Sequence, residues 1–291
     1  MRTNLTLIFC LCDDFFKCFS AQIASRQLPG NIPINFKPSP RMSIPELMTI
    51  LIAFHLSGYH DLKHFYVYVA HNWRKEFPGL VSYSRFVELI PCASIFLYGL
   101  LTSLRGEVTG KSFIDATGLA VCKNKRISGH KVFKNLAKRG KNTMGWFFGF
   151  KLHLVINEYG HILGFNLTPG NEDDRKSAEQ VLKDIWGKVF ADKGYISKKL
   201  FDSLLTKGIK LVTSRKSNMK PEIIALDESE MLGKRSLIES VFNVLKNSCR
   251  IEHSRHRSPR NFVVNLIGAM CAYMMRFVIG VDGSARIADQ L

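Results

Sequence analysis

The chain has 291 residues, 46% of them hydrophobic, enough for a full-sized core in one large domain with a smaller companion. Lys and Arg total 41 against 24 Asp and Glu, a formal net charge of +17 that points to nucleic acid or an acidic membrane surface unless it is only a basic, soluble exterior. Seven cysteines, an odd number with only Cys10 and Cys12 close together, complete no four-ligand zinc set and read as reduced thiols of a cytoplasmic protein.

In chain order, the apolar run of residues 5–12 is cut short by Asp13 and Asp14, which excludes a signal peptide. Residues 27–41 are dense in Pro and Gly and read as a linker that closes an N-terminal segment, 1–41. Ser43-Ile44-Pro45-Glu46 is a capping box with Pro just inside a helix start. The apolar run that follows, 47–56, is too short to span a bilayer; no other segment reads as long enough, so no membrane is expected. Further helices are expected at 61–72, 82–89 and 95–104, making 42–108 a helical domain that binds DNA or serves dimerisation and packing. In the DNA-binding case 82–89 would be its recognition helix, with Tyr83 and Arg85 near the N-terminus. His60 and His64 stand four apart without the intervening Glu of a zinc-protease helix and read as ordinary histidines.

From residue 109 the pattern changes. Strands are expected at 112–122, 147–156 and 161–168, the last two joined by the turn Asn157-Glu158-Tyr159-Gly160. A helix at 174–186, a strand at 188–192, a helix at 197–207, a strand at 209–213, a long helix at 232–249 and an apolar helix at 259–279 complete the domain 109–291. This order describes an α/β domain, a mixed sheet flanked by helices. The RNase H-like fold has it, and other α/β folds share pieces of it.

Three carboxylates stand out. Asp115 interrupts an apolar strand, where an ionised group is costly unless a cation compensates it. Asp192 ends a strand and is followed by Gly194, a position from which carboxylates line sites in open sheets. Glu239 lies on a helix four residues after Arg235 and seven before Lys246, on one face. Taken singly, each is equally a salt-bridged, turn-capping or ladder residue. Together, on a strongly basic α/β core, they suit Mg²⁺ or Mn²⁺ and phosphoryl transfer on nucleic acid by two ions.

Five blocks occur in order: Phe113-Ile114-Asp115-Ala116-Thr117, Gly149-Phe150-Lys151-Leu152-His153, Thr168-Pro169-Gly170-Asn171, Ala191-Asp192-Lys193-Gly194-Tyr195, and Arg235 with Glu239 and Lys246. Over residues 40–280 the chain resembles bacterial insertion-sequence DDE transposases, as does the tail Ile251-Glu252-His253-Ser254-Arg255-His256-Arg257-Ser258. The resemblance implies a compact RNase H-like catalytic core, since Asp192 and Glu239 are only 47 positions apart. By resemblance Asp115, Asp192 and Glu239 are the catalytic, metal-holding triad, and Arg235, Lys246 and Lys151 contact DNA. Many relatives carry Tyr three positions before the Arg; here that residue is Leu232. The implied activity is metal-dependent cleavage at terminal inverted repeats followed by strand transfer, in a homodimer or larger assembly holding element ends and target DNA. A nuclease of the same fold without strand transfer, or a relic that only binds DNA, stays open at this point.

Residues 123–141 carry eight cations and no acid, among them Lys123, Lys125, Arg126, Lys138 and Arg139, with Phe133 and Leu136 interleaved. Next to the strand of Asp115 this run is expected to bind the DNA backbone, and Arg250, Arg255, Arg257 and Arg260 form a second basic cluster with His253 and His256 between them.

Overall fold

The computed structural model describes residues 4–25, 41–142, 145–214, 225–252 and 256–279. Their elements are helices α1 (Leu5–Ser25), α2 (Ile44–Leu56), α3 (Leu62–Asn72), α4 (Tyr83–Leu89) and α5 (Ser94–Ser103), strands β1 (Lys111–Cys122), β2 (Lys138–Asn142), β3 (Gly145–Asn157) and β4 (Ile162–Pro169), helix α6 (Asp174–Val181), strand β5 (Gly187–Ala191), helix α7 (Lys198–Thr206), strand β6 (Ile209–Thr213), and helices α8 (Leu226–Gly233), α9 (Ser236–Asn243) and α10 (Pro259–Ile279). They fall into a helical unit and a sheet unit.

The helical unit takes in α1 to α5, residues 245–251 and α10. Its centre is α2, which starts at the expected capping box: the Ser43 hydroxyl accepts from the Glu46 N–H while the Glu46 carboxylate accepts from the Ser43 N–H. Every residue of α2 except Glu46 is buried, because its sequence is apolar on all sides. Helix α1 runs straight through Asp13 and Asp14, and Phe16 packs against Phe96 of α5 at a ring separation of 4.9 Å. Part of the expected N-terminal segment is thus a helix of this unit; the Pro-rich stretch 27–40 lies outside the described residues. Helix α10 has the expected bounds but packs with α2 and α5, not with the sheet domain in which the sequence division at 109 had placed it. By length and composition, α10 and the stretch Tyr83–Ser103 are apolar enough to cross a membrane, contrary to the sequence reading; α10 is mostly buried, as in a core helix.

In the sheet unit the strand order is β2-β3-β1-β5-β6, with β4 also on β3. The β1–β3 and β3–β4 pairs are antiparallel, the β1–β5 and β5–β6 pairs parallel. The mixed sheet expected from the sequence is thus present, with the strand order β4-β3-β1-β5-β6. The hairpin turn forms as read, with the Asn157 side-chain oxygen accepting the N–H groups of Tyr159 and His161. Strand β2 was not anticipated, because Lys138-Arg139-Gly140-Lys141-Asn142 has no apolar alternation. It pairs with the first residues of β3, just where β4 ends, and so prolongs one edge of the sheet.

One sheet face is closed by α6 and α7: Ile114, Val155, Val189 and Leu211 pack there with Ala178, Val181, Leu200 and Leu204. Side chains alternate along a strand, so Phe113, Asp115 and Phe190 point to the other face, where the Phe113 and Phe190 rings meet at 5.7 Å. At the foot of the sheet β1 and β5 approach so closely that a Cβ on Gly187 would lie 2.4 Å from the Gly110 carbonyl oxygen; both glycines have φ near +85° to +88°.

The single helix expected over 232–249 is broken. Gly233 ends α8, Lys234 and Arg235 form a turn, α9 follows, and Val244–Ser248 winds as a π-helix. Lys246 thus lies in a π-helical segment, not on the one continuous α-helix assumed from the sequence.

Candidate active site

Strand β1 carries Asp115 and β5 delivers Asp192 one residue past its end. Ile114 and Ala191 are register partners on parallel strands, so the next residues, Asp115 and Asp192, stand side by side on the face away from α6 and α7. Helix α9 lies over β1 with Leu237, Ile238, Val241 and Phe242 buried, which leaves Glu239 on its open side. Helix α8 anchors this arrangement. Its Glu228, only 5% exposed, accepts from Lys188 of β5 at 3.0 Å and from Lys210 of β6. The two ammonium groups hold the Glu228 carboxyl below its ordinary range against the opposing effect of burial.

The three carboxylates converge on one guanidinium. Arg235 lies 3.6 Å from Asp115, 3.9 Å from Asp192 and 3.0 Å from Glu239. Asp115 is the most enclosed of the three, with its side chain 23% exposed against 52% for Asp192 and 56% for Glu239. Its Oδ1 accepts the Ala116 N–H at 2.8 Å. Burial, with smaller contributions from the charges of Asp192 and Glu239, pushes the Asp115 carboxyl up to about 6 despite that hydrogen bond and Arg235.

Do these residues fit a divalent ion? Their oxygen donors are of the right chemistry for Mg²⁺ or Mn²⁺, and they already surround a cation. Among the described residues, no three His, Cys, Asp or Glu side chains stand close enough to share an ion as placed. The carboxylates are spaced around a guanidinium, which is far wider than the ~2.1 Å reach of a metal–oxygen bond. The donor set therefore has the chemistry for a divalent ion, and as placed it holds Arg235.

The remaining expected residues divide. Lys151, on β3 opposite Gly118, faces away from Asp115, and its ammonium donates to the Glu172 carbonyl at 2.9 Å and the Asp174 carboxylate at 3.0 Å. That engagement, at 18% exposure, gives it a structural place on the α6 face rather than the DNA contact expected of it. Beside it His153 is buried, its Nε2 2.8 Å from the Thr168 hydroxyl, and burial lowers it to about 4, so it is neutral near pH 7 and no ion pair with Asp174. Lys123, Lys125, Arg126, Lys138 and Arg139 are all exposed on the sheet unit. Lys246 lies in the π-helical segment and Arg257 just before α10, both in the helical unit; Arg255 lies outside the described residues.

Glu252, within the tail of residues 251–258, has a structural partner. Its carboxylate accepts the Ala120 N–H at 2.9 Å, where β1 bulges against β3. In the helical unit, Arg85 pairs with Glu88 at 2.8 Å and Tyr83 packs on Tyr66. His64 bonds Asp61 at 2.6 Å and His60 meets Arg250, ordinary roles as expected. All seven cysteines are free thiols.

A mixed sheet of this order, with helices on both faces, defines an RNase H-like protein. The family is given by residues 105–259, which match the model of the transposase DDE domain over more than half of the chain. The chain belongs to that family, whose members are metal-dependent enzymes of DNA cleavage and strand transfer, and its function is DNA transposition. A solved structure of a piggyBac transposase synaptic complex with hairpin DNA shares the fold, with a TM-score of 0.52 at 12% identity over 98% of this chain and 78% of that one. A Mos1 strand transfer complex aligns over 92% of this chain and 85% of its own at 11% identity, but its TM-score of 0.24 adds no weight. No curated protein sequence matches the chain.

Proposed function

We propose that this transposase binds the terminal inverted repeats of its own mobile element and uses Asp115, Asp192 and Glu239 to hold two divalent ions, Mg²⁺ or Mn²⁺. The observation that carries this reading is the convergence of three carboxylates, from two parallel strands and a helix, on one cation. When bound, the ions supply Lewis-acid stabilisation to the attacking and leaving oxygens of an in-line displacement. Asp115, more deeply set, would face both ions, and the more exposed Asp192 and Glu239 one each. Arg235 neutralises the three carboxylates until then and is afterwards free to meet the scissile phosphate.

Lys123, Lys125, Arg126, Lys138 and Arg139 would contact the phosphate backbone beside β1, as exposed cations with no sequence preference of their own. Lys246 and Arg257 are candidates for further phosphate contacts. Joining two element ends requires at least two copies of the active site, so a dimer or larger assembly is the working form, acting in the cytoplasm on the cell's DNA.

The test is joining of labelled element-end DNA to a plasmid by purified protein in Mg²⁺. Products are expected with end-derived DNA and not with scrambled duplex of equal length. Nicking without any joined product from a supplied 3′-hydroxyl end would contradict the transposase reading.

A further inference from the structure

Trp146 is the second residue of β3, and 62% of it is exposed, while Phe147 and Phe148 beside it are buried. It is the register partner of Lys141 on β2, and the Asn124 side-chain amide donates to its carbonyl at 2.8 Å. The Lys141 ammonium lies 5.9 Å from the ring centroid. Around it Lys123, Lys125 and Arg126 are also exposed, as is Arg139 on the same face of β2, and none of these cations forms an ion pair among the described residues.

The pairing also says where the ring stands relative to Asp115. Strand β3 runs without a bulge of its own from Trp146 to Leu154, so Trp146, Phe148, Phe150, Leu152 and Leu154 alternate onto one face. Leu154 is the register partner of Asp115. Trp146 therefore shares the face of the candidate catalytic carboxylate, eight residues further along β3, a distance of roughly 27 Å at the usual strand rise. In B-form DNA that is about eight base-pair steps.

An exposed flat ring set among uncompensated cations is matched by a polyanion that also offers π-faces. Nucleic acid has both, and stacking on an indole tolerates any base. We propose that Trp146 stacks on a nucleobase drawn out of the element-end duplex, about eight base-pair steps from the phosphate at Asp115. This rests on the reading of the basic stretch as a DNA surface, and the experiment separates the two.

Full-length wild type, Trp146→Ala, Trp146→Phe and the double variant Lys138→Ala/Arg139→Ala are titrated against element-end duplexes by fluorescence anisotropy. One duplex is intact; the others carry a single abasic site at successive positions from the cleaved end. On intact DNA Trp146→Ala is expected to bind about tenfold more weakly, with Trp146→Phe recovering most of the loss. With the base removed at one position, roughly eight steps in, wild type and Trp146→Ala should bind alike. Equal affinity of wild type and Trp146→Ala on intact DNA overturns the proposal, as does a loss that is the same at every abasic position. If Lys138→Ala/Arg139→Ala weakens binding while Trp146→Ala does not, the basic surface stands and only the stacking fails. If neither variant weakens binding, both fail. A change in oligomeric state of Trp146→Ala without DNA would make the ring a contact between copies, and also overturns it.

Discussion

Asp115 combines two properties that oppose each other in the folded protein. It must be ionised to hold a cation, yet it sits in an apolar strand where burial raises its carboxyl to about 6. A carboxyl whose folded value lies above its unfolded 3.8 binds its proton more tightly in the native state, so stability falls as pH rises between the two values. The penalty is absent below about 3.8 and complete above about 6. Without metal, Asp115→Asn is therefore expected to be more stable than wild type at pH 8, by up to about 3 kcal/mol. Urea unfolding at pH 8 and pH 4 in chelator measures this; the gain should vanish at the lower pH, and a less stable variant at pH 8 would contradict the burial argument. Arg235 gives a second expectation at this scale. Arg235→Gln removes the cation that the three carboxylates share, so the variant should bind Mn²⁺ several-fold more tightly than wild type in the absence of DNA, read as free Mn²⁺ by electron paramagnetic resonance. Weaker binding would mean that Arg235 orders the carboxylates rather than competing for them. Asp115 was legible in the sequence because a charge in an apolar strand needs an explanation. Lys151 was singled out by the resemblance, which does not say which face its cation serves; the pairing with Gly118 puts it on the face opposite to Asp115.

At the scale of elements, the docking of α8 sets where α9 and Glu239 lie. Glu228 is buried between Lys188 and Lys210, and its lowered value means stabilisation that is present above its ordinary 4.5 and is lost as the pH falls below it. Glu228→Gln should cost about 2 kcal/mol at pH 7, less than the loss of a fully buried pair because both lysines can turn to water. It should also reduce cleavage by loosening α9. Thermal unfolding together with a cleavage assay checks both, and unchanged stability would mean that the clasp is dispensable. None of this was readable in advance, since Glu228 looks like any acid in the first turn of a helix. The break at Lys234-Arg235 was missed although the sequence signalled it: Gly233-Lys234-Arg235-Ser236 holds no apolar residue, and Gly233 is a helix-stop residue. Strand β2 was missed because its pairing with β3, not its own pattern, makes it a strand.

For the whole molecule, the alternation of strands and helices after residue 109 was enough to give a mixed sheet flanked by helices, because connections in such folds are short and few topologies satisfy them; which strand lies beside which came from the pairing itself. The allocation of α10 was not, since an apolar helix at the end of a chain reads alike whichever core it enters; its packing against α2 and α5 ties the C-terminal part of the chain to the helical unit. The net charge of +17 is shared between both units and accounts for affinity to a polyanion without naming its sequence. What the whole molecule must do is bring two DNA ends to carboxylates that hold metal. The most direct measurement is cleavage of labelled element-end DNA in Mg²⁺ or Mn²⁺ by wild type, Asp115→Asn, Asp192→Asn and Glu239→Gln, with binding to the same DNA followed in parallel. Each substitution is expected to abolish metal-dependent cleavage, by at least about a hundredfold, while leaving DNA affinity within a few-fold of wild type. Cleavage at the wild-type rate by any of the three would contradict the assignment of that residue, and with it the claim that these carboxylates are the catalytic centre.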